Sequence, residues 1–218
     1  MPPIAYGTGT VLRDKDVSNW ITQAVKMGFS HIDTAQMYNN ETSAGDGIRR
    51  CGIARQNLFV TTKYLSGSIQ EAIRLSLRKL DLDYVDLYLI HAPYLVENDF
   101  EGAWRQFEKI KEDGLARSIG ISNFDVEQLQ DIMKIAKIKP VVNQISLNPY
   151  NYASKKSLLE YASQHGIIIE AYNILASITQ VPGGPADAPV NSVAKRLGIS
   201  PGQVLLLWAK AKGVVIIT

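Results

Sequence analysis

Short apolar runs alternate with segments of helical period from one end of the chain to the other. The runs are Ile4 to Gly7, His31 to Thr34, Leu58 to Thr62, Val85 to His91, Ser118 to Ile121, Val141 to Ile145, Ile167 to Tyr172 and Val214 to Ile217. Most are unbroken rather than alternating, which marks parallel strands covered on both faces. Between them the apolar spacing changes to that of helices. Val17, Trp20, Ile21, Ala24 and Val25 form one face before Gly28, and Phe100, Ala103, Trp104, Phe107 and Ile110 form another before Gly114. Leu158, Tyr161, Ala162 and His165 stripe a third before Gly166. Ser68 and Glu71 have the spacing of a capping box ahead of Ile69, Ile73, Leu77 and Leu80. Ser200 followed by Pro201 reads as a cap and first helical position.

Eight strands separated by helices predict an α/β fold of the (β/α)8 type, a single domain over residues 1–218. An open dinucleotide-binding sheet fits less well, because Gly7-Thr8-Gly9-Thr10 lacks the third glycine of that turn and no helix starts there. The Pro/Gly-rich stretch Gln180 to Pro189 reads as an excursion at the barrel rim. Barrels of this class run to roughly 250 residues, whereas this sequence stops at Thr218, directly after the eighth strand. The expectation is a barrel lacking its last helix and C-terminal tail, with an open apolar face inviting self-association.

Composition narrows the function classes. Of 218 residues, 46% are hydrophobic and 20% charged, which suits one large soluble domain. Twenty-three basic residues against 21 acidic ones form no stripe, which argues against nucleic acid or an anionic membrane as partner. Cys51 is the only cysteine, so no internal disulfide or cysteine-based zinc cluster can form, and a reducing compartment fits. The N-terminus has no signal-peptide pattern and no apolar run reaches membrane length, which predicts a cytoplasmic protein.

Reacting groups of a parallel barrel gather at the C-terminal ends of its strands. Asp33 ends the second strand with Tyr38 in the loop beyond, Lys63 ends the third and His91 the fourth. Ser122 and Asn123 follow at the fifth, Asn143 and Gln144 lie in the sixth, and Tyr172 and Asn173 end the seventh. A phenol is a reluctant acid, but a nearby ammonium stabilises its phenolate and lowers its pKa. Lys63 could supply that ammonium, Asp33 could hold it charged, and His91 could hydrogen-bond a substrate oxygen beside Tyr38. That set suits protonation of an oxygen becoming an alkoxide, as carbonyl reduction requires. A Schiff-base role for Lys63 is the more distant reading, opposed by Asp33. His31 and His165 read as structural or capping, and no metal-ligand spacing is present.

These residues stand in motifs that resemble the aldo/keto reductase superfamily: Gly28-Phe29-Ser30-His31-Ile32-Asp33-Thr34-Ala35 with Tyr38 and Asn40-Glu41, then Thr61-Thr62-Lys63, and Asp83-Tyr84-Val85-Asp86-Leu87-Tyr88-Leu89-Ile90-His91. Arg117 to Phe124, Pro140 to Gln144 and Gly202 to Leu206 continue the likeness, which covers essentially the whole chain and looks closest to fungal reductases of keto esters, keto amides or small aldehydes. The resemblance implies NADPH-dependent reduction of a small carbonyl substrate, with Tyr38, Lys63, Asp33 and His91 as catalytic residues. It implies cofactor binding by Thr8, Asp33, Ser122, Asn123, Gln144, Tyr172, Asn173 and Leu175, with Tyr172 stacking on the nicotinamide. Asn173 and Ile174 replace the family's usual serine and proline after strand seven, and Gly9 and Ala92 replace tryptophans, which implies a wider, less aromatic pocket. The family's Ser/Lys/Arg cluster for the 2′-phosphate lies beyond strand eight, and no residue here corresponds to it. The alternative is an impaired barrel serving as a binding or regulatory protein.

Overall fold

The computed structural model describes residues 1–218. Eight parallel strands close into one barrel in sequence order: β1 (Ile4–Gly7), β2 (His31–Asp33), β3 (Phe59–Tyr64), β4 (Val85–Ile90), β5 (Ala116–Ser122), β6 (Val142–Ser146), β7 (Ile168–Tyr172) and β8 (Val215–Ile217). Closure pairs Ile4 with Ile216 and Ala5 with Ile217. Nine helices lie outside it: α1 (Ser18–Lys26), α2 (Glu41–Arg50), α3 (Ile69–Leu80), α4 (Phe100–Glu112), α5 (Val126–Ile135), α6 (Tyr152–Gln164), α7 (Ala176–Thr179), α8 (Asp187–Leu197) and α9 (Pro201–Ala211). No helix is long and apolar enough to cross a membrane.

Alternation along each strand sorts side chains between two cores. Val60 and Tyr64 of β3 with Tyr88 and Ile90 of β4 join the large apolar cluster under the helices, which also holds Trp104, Phe107 and Ile110 of α4. Leu87, Leu89 and Val142, with Phe59 against them, form a small separate cluster. Other strand positions in alternation with the outer ones are buried polar groups: His31 and Asp33 on β2, Thr61 and Lys63 on β3, Gln144 on β6 and Glu170 on β7.

Several local expectations need correction. Lys63 does not end its strand; β3 continues to Tyr64, and Lys63 pairs in register with Leu89. Trp20 is half exposed rather than part of the buried face of α1. Tyr161 is only partly buried and His165 is exposed, its Nδ1 2.8 Å from the Tyr161 carbonyl at the end of α6. Ser68 occupies the N-cap of α3 without a side-chain hydrogen bond, so the capping box does not form there. Reciprocal boxes form instead at Asp125 with Gln128 and at Ser200 with Gln203. The rim excursion after β7 is partly helical, since α8 starts at Asp187.

Candidate active site

Strands β2, β3 and β4 and the loops after β1 and β2 converge at the C-terminal rim. Lys63 is completely buried; its Nζ donates to Asp33 Oδ1 at 2.6 Å and to the Thr34 carbonyl at 2.9 Å, and lies 3.5 Å from the Tyr38 hydroxyl. Tyr38 closes a 3-10 turn, Gln36–Tyr38, that ends at Asn39 in the left-handed region, φ 53°. The next residue, Asn40, ties this loop to the one after β1 by donating through Nδ2 to the Thr8 and Leu12 carbonyls, both at 2.9 Å. Gly9 lies under the Tyr38 ring so closely that a Cβ there would sit 2.8 Å from Cζ. The His91 ring stands edge-on to Tyr38, with centroids 5.7 Å apart. The strand-end residues named from the sequence thus meet in one cluster.

The electrostatics assign protonation states. Burial, the largest single influence, works to lower the Lys63 pKa, but Asp33, Tyr38 and Glu170 together outweigh it, and the net shift is upward. Lys63 is therefore an ammonium, which removes the nucleophilic amine a Schiff-base role requires. Burial raises the Tyr38 pKa, opposed by Lys63 and reinforced by Asp33. The net direction is up: the ammonium moderates the effect of burial without making the phenol more acidic than usual, so Tyr38 is a protonated donor at neutral pH. His91 falls to about 4, through burial and then the Lys63 charge, and is a neutral imidazole.

Above this cluster opens a cleft of about 730 Å3 whose walls include Tyr38, His91, Ser122, Asn123, Gln144, Tyr172, Asn173 and Leu175. Asn123 adopts φ 65°, and its side chain spans the site. Its Nδ2 donates to the His91 carbonyl at 3.0 Å and to Ser122 Oγ at 3.1 Å, and its Oδ1 accepts from the Tyr172 hydroxyl at 2.7 Å. Ser122 Oγ also donates to the Gln144 carbonyl at 2.8 Å. Asn173, at φ 58°, reaches Ser146 Oγ at 3.5 Å, and Leu175 caps the short α7. Thr8 is set apart from these. It is fully buried below the cleft, with its hydroxyl on the Asp33 carbonyl at 3.3 Å, while Thr10 two positions on lines the wall. Asn143 points elsewhere, donating to the Phe124 carbonyl at 3.0 Å.

Glu170 was not among the residues singled out from the sequence. It is fully buried beside Gln144, whose Nε2 donates to Glu170 Oε2 at 2.7 Å and to Asp33 Oδ2 at 2.8 Å. Burial, then the Asp33 charge, raise its pKa to about 7. A lone acid in the apolar run Ile167 to Tyr172 was the available signal.

Comparison with known proteins identifies what the chain is similar to. A family model described as "Aldo/keto reductase family" matches residues 3–218. An NAD/NADP-dependent indole-3-acetaldehyde reductase of Schizosaccharomyces pombe is 37% identical, over 100% of this chain and 81% of its own length. A glyoxal reductase of Bacillus subtilis is also 37% identical, over 100% and 78%. Among solved structures, an aldo-keto reductase of Bombyx mori in complex with NADP superposes with a TM-score of 0.90 at 32% identity, covering 100% of this chain and 79% of that one.

Proposed function

The chain belongs to the aldo/keto reductase family, and from that premise we propose that it reduces an aldehyde or ketone to the alcohol with NADPH, Tyr38 delivering the proton. The observation that carries the reading is the Lys63 ammonium, 2.6 Å from Asp33 and 3.5 Å from the Tyr38 hydroxyl, buried behind a cleft lined by Asp33, Tyr38 and His91.

The residues on the cleft wall fit the nicotinamide end of the cofactor. Both N–H groups of Gln144 are engaged by carboxylates, which leaves its carbonyl oxygen as an acceptor for a carboxamide. Ser122 and Asn123 add polar groups beside it, and the Tyr172 ring supplies a flat wall. A bound NADPH supplies the hydride that the carbonyl carbon accepts. The chain's own residues handle the oxygen. Tyr38 gives its proton to the developing alkoxide, and the Lys63 ammonium stabilises the phenolate left behind. Asp33 keeps Lys63 charged while it is cut off from water. The neutral His91, on the cleft wall edge-on to the Tyr38 ring, would hydrogen-bond the same oxygen and orient it. The relatives named for indole-3-acetaldehyde and glyoxal suggest aldehydes as first substrates to try.

The test follows the absorbance of reduced nicotinamide with glyoxal, a keto ester and an aromatic aldehyde. Turnover by the wild type and a loss of about 100-fold or more in Tyr38→Phe, with cofactor binding retained, is the expected result. No turnover on any of these carbonyls, by a protein that binds NADPH, would overturn the reading.

A further inference from the structure

Glu170 occupies the middle of β7, next to Gln144 in the ladder and without solvent exposure. Its Oε2 shares the Gln144 amide nitrogen with Asp33 Oδ2, at 2.7 and 2.8 Å. An amide nitrogen has two hydrogens, so each carboxylate takes one and the nitrogen has nothing left to offer the cleft. The carbonyl oxygen of Gln144 must therefore face away from both acids. Asp33 alone would engage only one of the two hydrogens.

The surroundings of Glu170 make a purely structural role an expensive one. Its other oxygen, Oε1, has no hydrogen-bond partner and lies 4.0 Å from His31 Nε2. His31 gives little charge in return: burial lowers its pKa to about 4, and its Nε2 is 2.9 Å from Thr61 Oγ1. Lys63 is the one buried cation near the two acids and is paired with Asp33. An apolar side chain on β7 would avoid this desolvation and pack at least as well. What it could not do is hold the second hydrogen of Gln144.

We propose that Glu170 is a positioning residue for the cofactor: with Asp33 it fixes the Gln144 amide so that its carbonyl oxygen, and not its nitrogen, is presented to the carboxamide N–H of the nicotinamide. This rests on the NADPH-dependent reading given above. It assigns Glu170 no contact with substrate or cofactor.

The experiment compares equilibrium binding of NADP+ with that of its 3-acetylpyridine analogue, in which a methyl group replaces the carboxamide nitrogen. Binding is read by quenching of tryptophan fluorescence. Wild type should bind NADP+ more tightly by about fivefold or more, the value of one hydrogen bond to a fixed acceptor. Glu170→Leu should bring that ratio toward one, and Glu170→Gln, which keeps an acceptor oxygen on β7, should restore it. An unchanged ratio in Glu170→Leu overturns the proposal. If that variant does not fold, the wild-type protein decides. The Gln144 side-chain NH2 resonances, assigned by their loss in Gln144→Met, should be slow to exchange and should shift as Glu170 titrates; fast exchange or no shift overturns it. Failure of wild type to bind either dinucleotide would instead count against the NADPH reading, so the two outcomes are distinct.

Discussion

Replacing Glu170 with glutamine should change how stability depends on pH, in a direction fixed by the barrel interior. The carboxyl has an ordinary pKa of 4.5 and one of about 7 in the folded chain, raised by burial and then by Asp33. A folded pKa above the unfolded one means that the native state binds the extra proton between those values. Stability is then fully present below pH 4.5 and is lost as pH rises through about 7. At about 1.4 kcal/mol per pH unit, the interval amounts to roughly 3 kcal/mol, most of which falls between pH 5 and pH 8. Glutamine does not titrate. Glu170→Gln should therefore gain roughly 2 to 3 kcal/mol relative to wild type on going from pH 5 to pH 8, whatever its offset at either pH. His31 runs the other way: its pKa falls from 6.5 to about 4 on folding, so its contribution is lost as pH drops through that window. In wild type the two slopes oppose each other near pH 5 to 6, and the substitution unmasks the rise due to His31. Urea denaturation at pH 5 and pH 8, followed by fluorescence, with Trp104 wholly buried in the core, measures both proteins. A difference between them that changes by less than about 0.5 kcal/mol between the two pH values would refute the assignment of a proton to Glu170.

Two further outcomes test the site. Gly9→Ala would place a Cβ 2.8 Å from Tyr38 Cζ, so the ring must leave its present position; kcat/KM should fall about tenfold or more with little change in melting temperature, and unchanged kinetics would show that the ring position does not matter. His91, held neutral by a pKa of about 4, should impose no break on the pH profile of kcat/KM between about pH 5 and pH 8; a break there that vanishes in His91→Gln would show it to be a titrating acid.

The cluster of Asp33, Lys63 and His91 was legible because a parallel barrel turns linear order into proximity. Asp33 ends β2, Lys63 lies one residue before the end of β3 and His91 directly follows β4, and in-register pairing carries these neighbouring positions to one rim. Tyr38 was legible only as a loop residue near that rim. What holds it in place, the Asn40 amide bridging two loop carbonyls and the missing Cβ of Gly9, depends on contacts between segments that sequence order does not bring together. Helix α2 escaped detection for a related reason. Its Gly45 and Gly47 look like helix breakers, yet a Cβ at Gly45 would lie 2.3 Å from the Leu80 carbonyl and one at Gly47 2.8 Å from the Ser18 carbonyl. Tertiary packing demands the residues that local propensity disfavours.

Thr8, named only through the family resemblance, and Glu170, not named at all, both lie outside what strand-end reasoning reaches. Thr8 follows β1 directly; Gly7 pairs with Asp33, and the Thr8 amide donates to the Asp33 carbonyl at 2.9 Å. That bond extends the ladder by one residue and draws the Thr8 hydroxyl down onto the same carbonyl, below the cleft. Glu170 lies two residues before the end of β7 and so reads as covered core. In an unbroken apolar run, inward and outward positions cannot be told apart by polarity, since both are buried. The parity of the strand decides the matter: Tyr172 at the strand end lines the cleft, and Glu170 points to the same side one layer deeper, against Gln144. Counting back by two from each rim residue would have found it, and the same count from Asp33 leads to His31, the other buried ionisable group of that layer.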